Sequence, residues 1–292
     1  MSASGLTWQR RLADTMNLFL TRAGMRVVRA SSNDHYLLQG YTEVVCDGVP
    51  MRFDPQHAPF WTVYRDQRWE PGTLAILQRY LTADSVYYDI GAWIGPTVVY
   101  AAQRCKTVYA FEPDPVAYRY LLENITNNRL TNVRAFNLAV AGTSGVSQLH
   151  SFGTRLGDSM SSLLPQADNS SGWPVTRVTI DTLVNELGCA KPDFVKVDIE
   201  GGEFELLPAL RNYLERWKPV VYLSLHAPFL PVEQREDRLR ALARALDFYP
   251  AVVDYYDESD RGSSPAFTLA DLPASPYREE FGTLLLLPST AA

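Results

Sequence analysis

The pattern of apolar positions changes character near residue 85. Before it the texture is mixed. Leu12, Met16 and Leu20 recur at helical spacing and predict a short amphipathic helix over about Leu6 to Met25. Glu43 to Cys46 and Val49 to Phe53 read as two strands, joined by Asp47-Gly48, a dipeptide that suits a tight hairpin turn. His57 to Pro71 is aromatic (Phe60, Trp61, Tyr64, Trp69), and Gly72 to Leu81 reads as a helix.

From Ser85 short apolar runs alternate with amphipathic ones. Strands are predicted at Val86 to Ile90, Thr107 to Phe111, Val133 to Val140, Phe194 to Val197, Val220 to Leu225, Val252 to Tyr256 and Thr283 to Leu287. Helices are predicted at Gly95 to Gln103, Val116 to Asn127, Glu203 to Trp217 and Arg235 to Leu246, and the stretch after Val140 reads as long and irregular. Such alternation predicts an α/β fold, a mainly parallel sheet covered on both faces. Ligands of such sheets bind at the carboxyl ends of the strands, near the topological switch point. The residues just after each strand therefore carry the functional question.

Composition narrows the field. The 292 residues carry 27 Lys+Arg and 33 Asp+Glu, a net charge of −6, which gives no support to a broad nucleic-acid-binding face. Cys46, Cys105 and Cys189 stand far apart, in neither a disulfide framework nor a zinc spacing, and suit a reducing compartment. No apolar run approaches a membrane span. Asp14 and Asn17 break up the apolar residues after Arg10-Arg11, so no signal peptide is read. The expectation is a cytoplasmic protein with no nucleic-acid or membrane partner.

The first strand end, Asp89-Ile-Gly-Ala-Trp-Ile-Gly95, has glycines that let the backbone turn tightly and approach a ligand. Glu112 ends the next strand, 21 residues after Gly91, where a carboxylate can accept from both ribose hydroxyls. This points to a nucleoside-containing cofactor. A dinucleotide wants a second glycine where Trp93 stands, and the charge of Asp89 would repel a pyrophosphate. S-adenosylmethionine has no phosphate, and its ammonium suits an acidic strand end. It is the better fit, and a nicotinamide oxidoreductase the poorer one.

Three motifs in order resemble the FkbM family of S-adenosylmethionine-dependent methyltransferases. They are Asp89 to Gly95, Phe111-Glu112-Pro113 and Lys196-Val-Asp-Ile-Glu-Gly-Gly-Glu203. Trp69-Glu70-Pro71, Asn137-Leu-Ala139, Thr179 to Leu183 and Leu225-His226 fit as well, so the resemblance runs from about Trp69 to His226. It implies a class I methyltransferase fold, Rossmann-like, with seven strands of which one is antiparallel. It also implies methyl transfer, mostly to oxygen, often on sugars or polyketide-type natural products. By position it implies that Asp89, Gly91, Ala92 and Gly95 line the methionine part, with Trp93 in the same turn. Glu112 would hold the ribose, Pro113 would flank it, Asn137 and Ala139 would sit near adenine, and Glu70 would be a further contact with the ammonium. The family often has Glu two residues before the histidine of the fifth strand. Here that position is Ser224, so no carboxylate role carries over to it.

Asp198 ends the fourth strand and His226 the fifth, and both should point toward one mouth. An alcohol acceptor must lose its proton, and a histidine there can take it. His226 is thus the candidate base, against the plainer reading of a histidine satisfied at a strand end. Asp198 could instead be the base, orient the substrate or hold the methionine ammonium. Glu203 reads first as an acid in the first turn of a helix, where carboxylates are stabilising. Asp198, Glu200 and His226 could form a site for a divalent ion, but no second carboxylate stands on the fifth strand and a metal is not favoured. His35, His57 and His150 share no ligand spacing and read as structural or surface residues.

For the acceptor, His150 to Pro174 reads equally as a lid and as a surface loop. Phe60, Trp61, Tyr64 and Trp69 read as core or as a roof over the acceptor, and Tyr255-Tyr256 with Asp257 to Ser264 as a rim. The leading expectation is an O-methyltransferase of a small hydroxylated acceptor. N-methylation and a non-catalytic nucleoside-binding scaffold stand as alternatives. Residues 1–71 are expected to form a helix-and-hairpin cap and 72–292 the methyltransferase domain, in a chain that allows a homodimer.

Overall fold

Asp47 (φ 50°) and Gly48 (φ 75°) both adopt left-handed backbone, as the turn of a two-residue hairpin requires. They join β1 (Thr42–Cys46) to β2 (Val49–Phe53), with Cys46 opposite Val49. The computed structural model describes residues 40–70, 72–153, 155–164, 172–254 and 267–289. The predicted N-terminal helix, His35 and the Tyr255 to Ser264 rim lie outside the described residues, as do 154 and 165–171 of the candidate lid. The chain divides into a smaller unit, Met1–Pro71 with Leu122–Thr131, and a larger one, Gly72–Leu121 with Asn132–Ala292.

In the smaller unit, alternation along the hairpin buries Val44, Cys46, Met51 and Phe53. The aromatic stretch contains a helix that periodicity did not single out, α1 (Ala58–Arg65), burying Trp61 and Tyr64 three residues apart. Phe53 stacks on Trp61 at 3.8 Å, and Phe60 and Trp69 pack edgewise on one another. Trp61 and Tyr64 take the core reading, and Phe60 and Trp69 are half-buried against them. The Leu122–Thr131 segment is tied in by side-chain amides. Asn128 exchanges two hydrogen bonds with the Arg52 backbone, and Asn124 accepts from the Asp54 N–H at 2.6 Å. His57 is structural, its Nδ1 lying 2.7 Å from Asp54 Oδ1.

The larger unit begins with α2 (Thr73–Tyr80), β3 (Val86–Ile90), α3 (Pro96–Ala102), β4 (Thr107–Phe111) and α4 (Pro115–Asn127), which crosses into the smaller unit at Leu122. Next along the chain are β5 (Val133–Phe136), β6 (Ala139–Val140), β7 (Gly145–Ser151), β8 (Ser161–Ser162), β9 (Trp173–Val178) and α5 (Ile180–Asn185). Then come β10 (Phe194–Val197), α6 (Glu203–Trp217), β11 (Val220–Leu225), α7 (Val232–Leu246), β12 (Ala251–Asp254) and β13 (Gly282–Leu287).

Seven of these strands form one sheet in the order β12-β13-β11-β10-β3-β4-β5. All neighbours pair in parallel except β13, which is antiparallel to both β11 and β12. This is the class I methyltransferase sheet that the resemblance implied. Its inner strands β3 and β10 are apolar runs buried on both faces. One face, with Ile90, Val195, Val197, Val221 and Leu223, packs on Phe204, Leu207 and Leu210 of α6 and on Leu239, Leu242 and Leu246 of α7. Alternate residues serve the opposite face: Tyr87 meets Phe194 edge-on, and the Tyr222 hydroxyl lies 2.7 Å from Thr73 Oγ1 in α2.

Two expectations are corrected. The single strand Val133 to Val140 is two, because β6 leaves the large sheet to pair with β9. The stretch read as irregular holds a second sheet, β6-β9-β7-β8. Its strand β7 (Gly-Val-Ser-Gln-Leu-His-Ser) fully buries only Leu149, so it leaves no apolar run to see.

Trp61→Ala is expected to cost the smaller unit about 3–5 kcal/mol. It removes a buried ring stacked on Phe53 and the Nε1–H that donates to the Asp54 carbonyl at 2.9 Å. A urea midpoint unchanged from the parent would contradict this packing.

Candidate active site

The chain leaves β3 toward β4 and β5 on one side, and returns through β10 toward β11 on the other. The switch point of the sheet therefore lies between the ends of β3 and β10. Gly91 follows β3 with φ 88°, and a Cβ on it would stand 1.8 Å from the Asp198 carbonyl oxygen. Only a residue without a side chain allows the two strand ends to approach this closely. The N–H groups of Gly91 and Ala92 donate to the Phe111 carbonyl at 3.0 and 3.1 Å. Trp93 is also left-handed (φ 48°), and Gly95 (φ 88°) opens α3.

Glu112 organises this turn. Its Oε2 accepts from the Trp93 N–H and its Oε1 from the Asp114 N–H, both at 2.7 Å. Burial pushes its carboxyl up to about 8, against the pull of those two donors. Two oxygens offer about four acceptor positions, so the group retains capacity for the ribose hydroxyls expected of it. Asn137 donates to the Glu112 and Pro113 carbonyls at 2.8 and 3.1 Å, which fixes the loop between them, and Ala139 is buried close by in sequence. Asp89 is fully buried. Its Oδ2 accepts from the hydroxyls of Tyr87 (2.9 Å) and Thr97 (2.5 Å), its Oδ1 has no partner, and burial raises its pKa. An orphaned buried acceptor at the strand end and the acceptor positions left on Glu112 fit a cationic nucleoside cofactor. Glu70 lies in the smaller unit, in left-handed backbone (φ 41°).

Asp114 is a residue the motif reading passed over. Its Oδ1 accepts from the N–H groups of Val116 and Ala117 and so caps α4. Its Oδ2 accepts from the Gly157 N–H (2.6 Å) and the Ser161 hydroxyl (2.8 Å). Trp93 Nε1 donates to the Gly157 carbonyl at 3.0 Å, and the Ser162 hydroxyl donates to the Glu200 carbonyl at 2.6 Å. The described part of the candidate lid is thus strapped to both strand ends, to the Glu112 side by Ser161 and to the Asp198 side by Ser162. An acid just before Pro115 is a helix-start signal that sequence alone displays.

At the second strand end three carboxylates crowd His226. Its Nε2 lies 3.5 Å from Asp198 Oδ1 and 3.4 Å from Glu200 Oε2, and its Nδ1 lies 3.4 Å from Glu203 Oε1. Lys196 Nζ donates to Asp198 Oδ2 at 2.7 Å. The side chains of Asp198, Glu200 and His226 keep 17%, 15% and 11% of their surface, whereas Glu203 keeps none. The first three therefore face a mouth and Glu203 stands behind them. Glu203 is more than a helix-turn acid: its Oε1 accepts from the His226 N–H (2.7 Å) and its Oε2 from the Gly201 N–H (2.8 Å). Glu200 is held in left-handed backbone (φ 51°), which aims its carboxylate at the ring.

Burial works against a charged His226, but Glu203, Asp198 and Glu200 outweigh it and raise the ring to about 9. Burial also opposes the Asp198 charge, yet Lys196 and His226 hold that group below the usual carboxylate range. Burial lifts Glu200 to about 7. Asp198, Glu200 and His226 each offer one atom within 4.8 Å of the others, a donor set of the kind that holds a divalent ion. The ammonium of Lys196 on the same Asp198 carboxylate opposes a second cation there.

The raised His226 has a sign that can be read in stability. Its charged form stabilises the fold fully below the ordinary value of 6.5, and this contribution is lost as pH rises through about 9. In Glu203→Gln the ring should titrate closer to 6.5 by nuclear magnetic resonance, and the fall in stability across that window should shrink. A wild-type ring titrating at 6.5 would remove the carboxylates as its neighbours in solution.

A family model described as the methyltransferase FkbM domain matches residues 89–250, more than half of the chain. The chain is 27% identical over 186 residues to the hexuronic acid methyltransferase AglP of Haloferax volcanii, covering 62% of this chain and 72% of that protein. It is 26% identical over 158 residues to a tRNA (guanine(37)-N(1))-methyltransferase 1 of Phaeodactylum tricornutum, covering 52% of this chain and 28% of that one. The solved methyltransferase FkbM of Methylobacillus flagellatus KT is similar over 70% of this chain and 44% of its own, with 16% identity and a TM-score of 0.44. The chain spans less than half the length of that structure. With the family model matched across both strand ends, the chain belongs to the FkbM family of S-adenosylmethionine-dependent methyltransferases.

Proposed function

We propose that this methyltransferase methylates a hydroxyl of a small molecule of sugar or polyketide type, and that His226, with Asp198, takes the hydroxyl proton. The observation that carries the reading is the placement of His226. Its Nε2 faces the mouth between two carboxylates, and the carbonyl of one of them, Asp198, lies against Gly91 of the cofactor turn. In this reading Gly91, Ala92, Trp93 and Gly95 form the cofactor turn and Glu112 holds the ribose. The catalytic domain is 72–292 and the cap 1–71.

When bound, S-adenosylmethionine supplies a methyl group on a sulfonium, whose carbon–sulfur electron pair leaves to sulfur as the acceptor oxygen bonds the carbon. No acid is needed for that departure. The protein's task is to align the acceptor and remove one proton. A base of pKa about 9 is strong but largely protonated at neutral pH, so the competent fraction of His226 grows as pH rises. Asp198 and Glu200 stabilise the imidazolium that forms, and Glu203, 3.4 Å from Nδ1, adds to that stabilisation. A sugar acceptor is supported by the Haloferax volcanii relative, which is named for a hexuronic acid. Among the described residues no helix is long and apolar enough to cross a membrane.

N-methylation is the second reading, favoured by the relative named for an N(1) acceptor. An amine that arrives neutral needs no strong base. Transfer that survives Asp198→Asn and His226→Ala together would decide for nitrogen.

Calorimetry is expected to show S-adenosylmethionine binding to the wild-type chain and weakened binding to Glu112→Ala. His226→Ala should bind the cofactor as the parent does and transfer methyl about 10²–10⁴-fold more slowly. A folded wild-type chain that binds no S-adenosylmethionine sinks the proposal, and an unchanged rate in His226→Ala removes that residue as base.

A further inference from the structure

Beside His226 stand three aromatic rings that proton removal does not use. Phe152 follows β7, Phe229 lies in the turn after β11, and Phe281 precedes β13. Phe152 and Phe229 are parallel, 5° apart with centroids at 3.9 Å. Phe229 is also parallel to the His226 ring, at 8° and 6.0 Å. Phe281 leans on both, 5.2 Å from Phe229 and 5.6 Å from His226, and is 45% exposed. A single exposed phenyl is ordinary, but rings gathered from three distant segments around one mouth-facing histidine make a built apolar wall.

The wall and the charges together describe an acceptor. One side of the mouth offers ring faces, which favour a flat C–H surface. The other offers the Asp198 and Glu200 carboxylates, which accept hydrogen bonds from hydroxyls. A sugar ring has both features, C–H bonds on its face and hydroxyls at its edge. An anionic acceptor would enter beside the Asp198 and Glu200 carboxylates, and the cations in contact with the cluster, Lys196 and a protonated His226, are already spent on Asp198, Glu200 and the buried Glu203. Bringing a further negative charge there is costly unless it is paired.

We propose that Phe281, backed by Phe229 and Phe152, forms the acceptor subsite, and that it takes a neutral pyranose ring stacked on the exposed phenyl with a ring hydroxyl directed at His226 Nε2. This rests on the O-methylation reading above and narrows it. It separates this chain from a preference for hexuronic acids.

The test is transfer of labelled methyl from S-adenosylmethionine to methyl glucopyranoside, mannopyranoside and galactopyranoside, and to the corresponding methyl hexuronides. At least one neutral hexoside should be methylated faster than its hexuronide. Phe281→Ala, at an exposed position, should raise the KM for that hexoside about tenfold, the worth of one aromatic contact, with the larger part of the loss in KM and cofactor affinity kept. Phe152→Ala, which removes only a backing ring, should act in the same direction and less strongly. An unchanged KM in Phe281→Ala overturns the subsite while leaving O-methylation standing, and so does a hexuronide preferred over every neutral hexoside. Cofactor binding without transfer to any of these glycosides overturns the pyranose subsite and leaves O-methylation of a hydroxyl outside the sugars standing.

Discussion

Carboxylates cannot gather around a half-closed mouth without something positive among them. Asp198, Glu200 and Glu203 all reach His226 within 3.5 Å, and Lys196 touches one of them. Ionising every acid in such a place is costly, and two cations relieve the cost. One is the fixed ammonium of Lys196. The other is the proton that His226 holds up to a pH of about 9. That retained proton ties the stability of the strand ends to the chemistry of the mouth, because the group that balances the buried charge is the group proposed to receive the acceptor's proton. The carboxylate that the family often carries two residues before this histidine is Ser224 here. The acids around the ring come instead from the β10–α6 connection.

The sheet makes this arrangement usable. Strands β3 and β10 are neighbours whose onward connections lead to opposite sides of the sheet, and Gly91 lets their ends close to a distance no side chain would permit. Asp198 is held there by its own N–H, which donates to the Ile90 carbonyl at 3.0 Å. The proposed cofactor turn and the acid cluster thus meet at one hydrogen-bonded junction. Ser161 and Ser162 bridge it from above, one to Asp114 and the other to the Glu200 carbonyl. A strap on both sides explains why a polar segment with no periodic signal belongs to the site.

Much of this was legible in the chain. The buried strands read cleanly because parallel strands covered on both faces are continuous apolar runs. β3, β4, β10 and β11 lie where their residues predict. Their ends then pointed to Asp89, Glu112, Asp198 and His226. The features that escaped did so for physical reasons. The strands of the second sheet mix isolated apolar residues with polar ones, as in Gly-Val-Ser-Gln-Leu-His-Ser of β7, and leave no long apolar run. Helix α1 hides in aromatic residues whose pattern suits a loop as well. The two hydroxyls that hold one oxygen of the buried Asp89, and the lack of a partner on the other, have no signal along the chain. The aromatic wall is invisible in one dimension, since Phe152, Phe229 and Phe281 come from three segments that only the sheet brings together. Glu203 was half legible: its place in the first helical turn was plain, but its bond to the His226 backbone was not.

The pH dependence of kcat/KM for methyl transfer tests the central claim most directly, because it reports the ionisation of the free enzyme. With a retained proton on His226 as the block to catalysis, the profile should rise with a midpoint near 9 in the wild type, and His226→Asn should lose that rise. A rate independent of pH between about 6 and 10, or the same rise persisting in His226→Asn, would contradict the account.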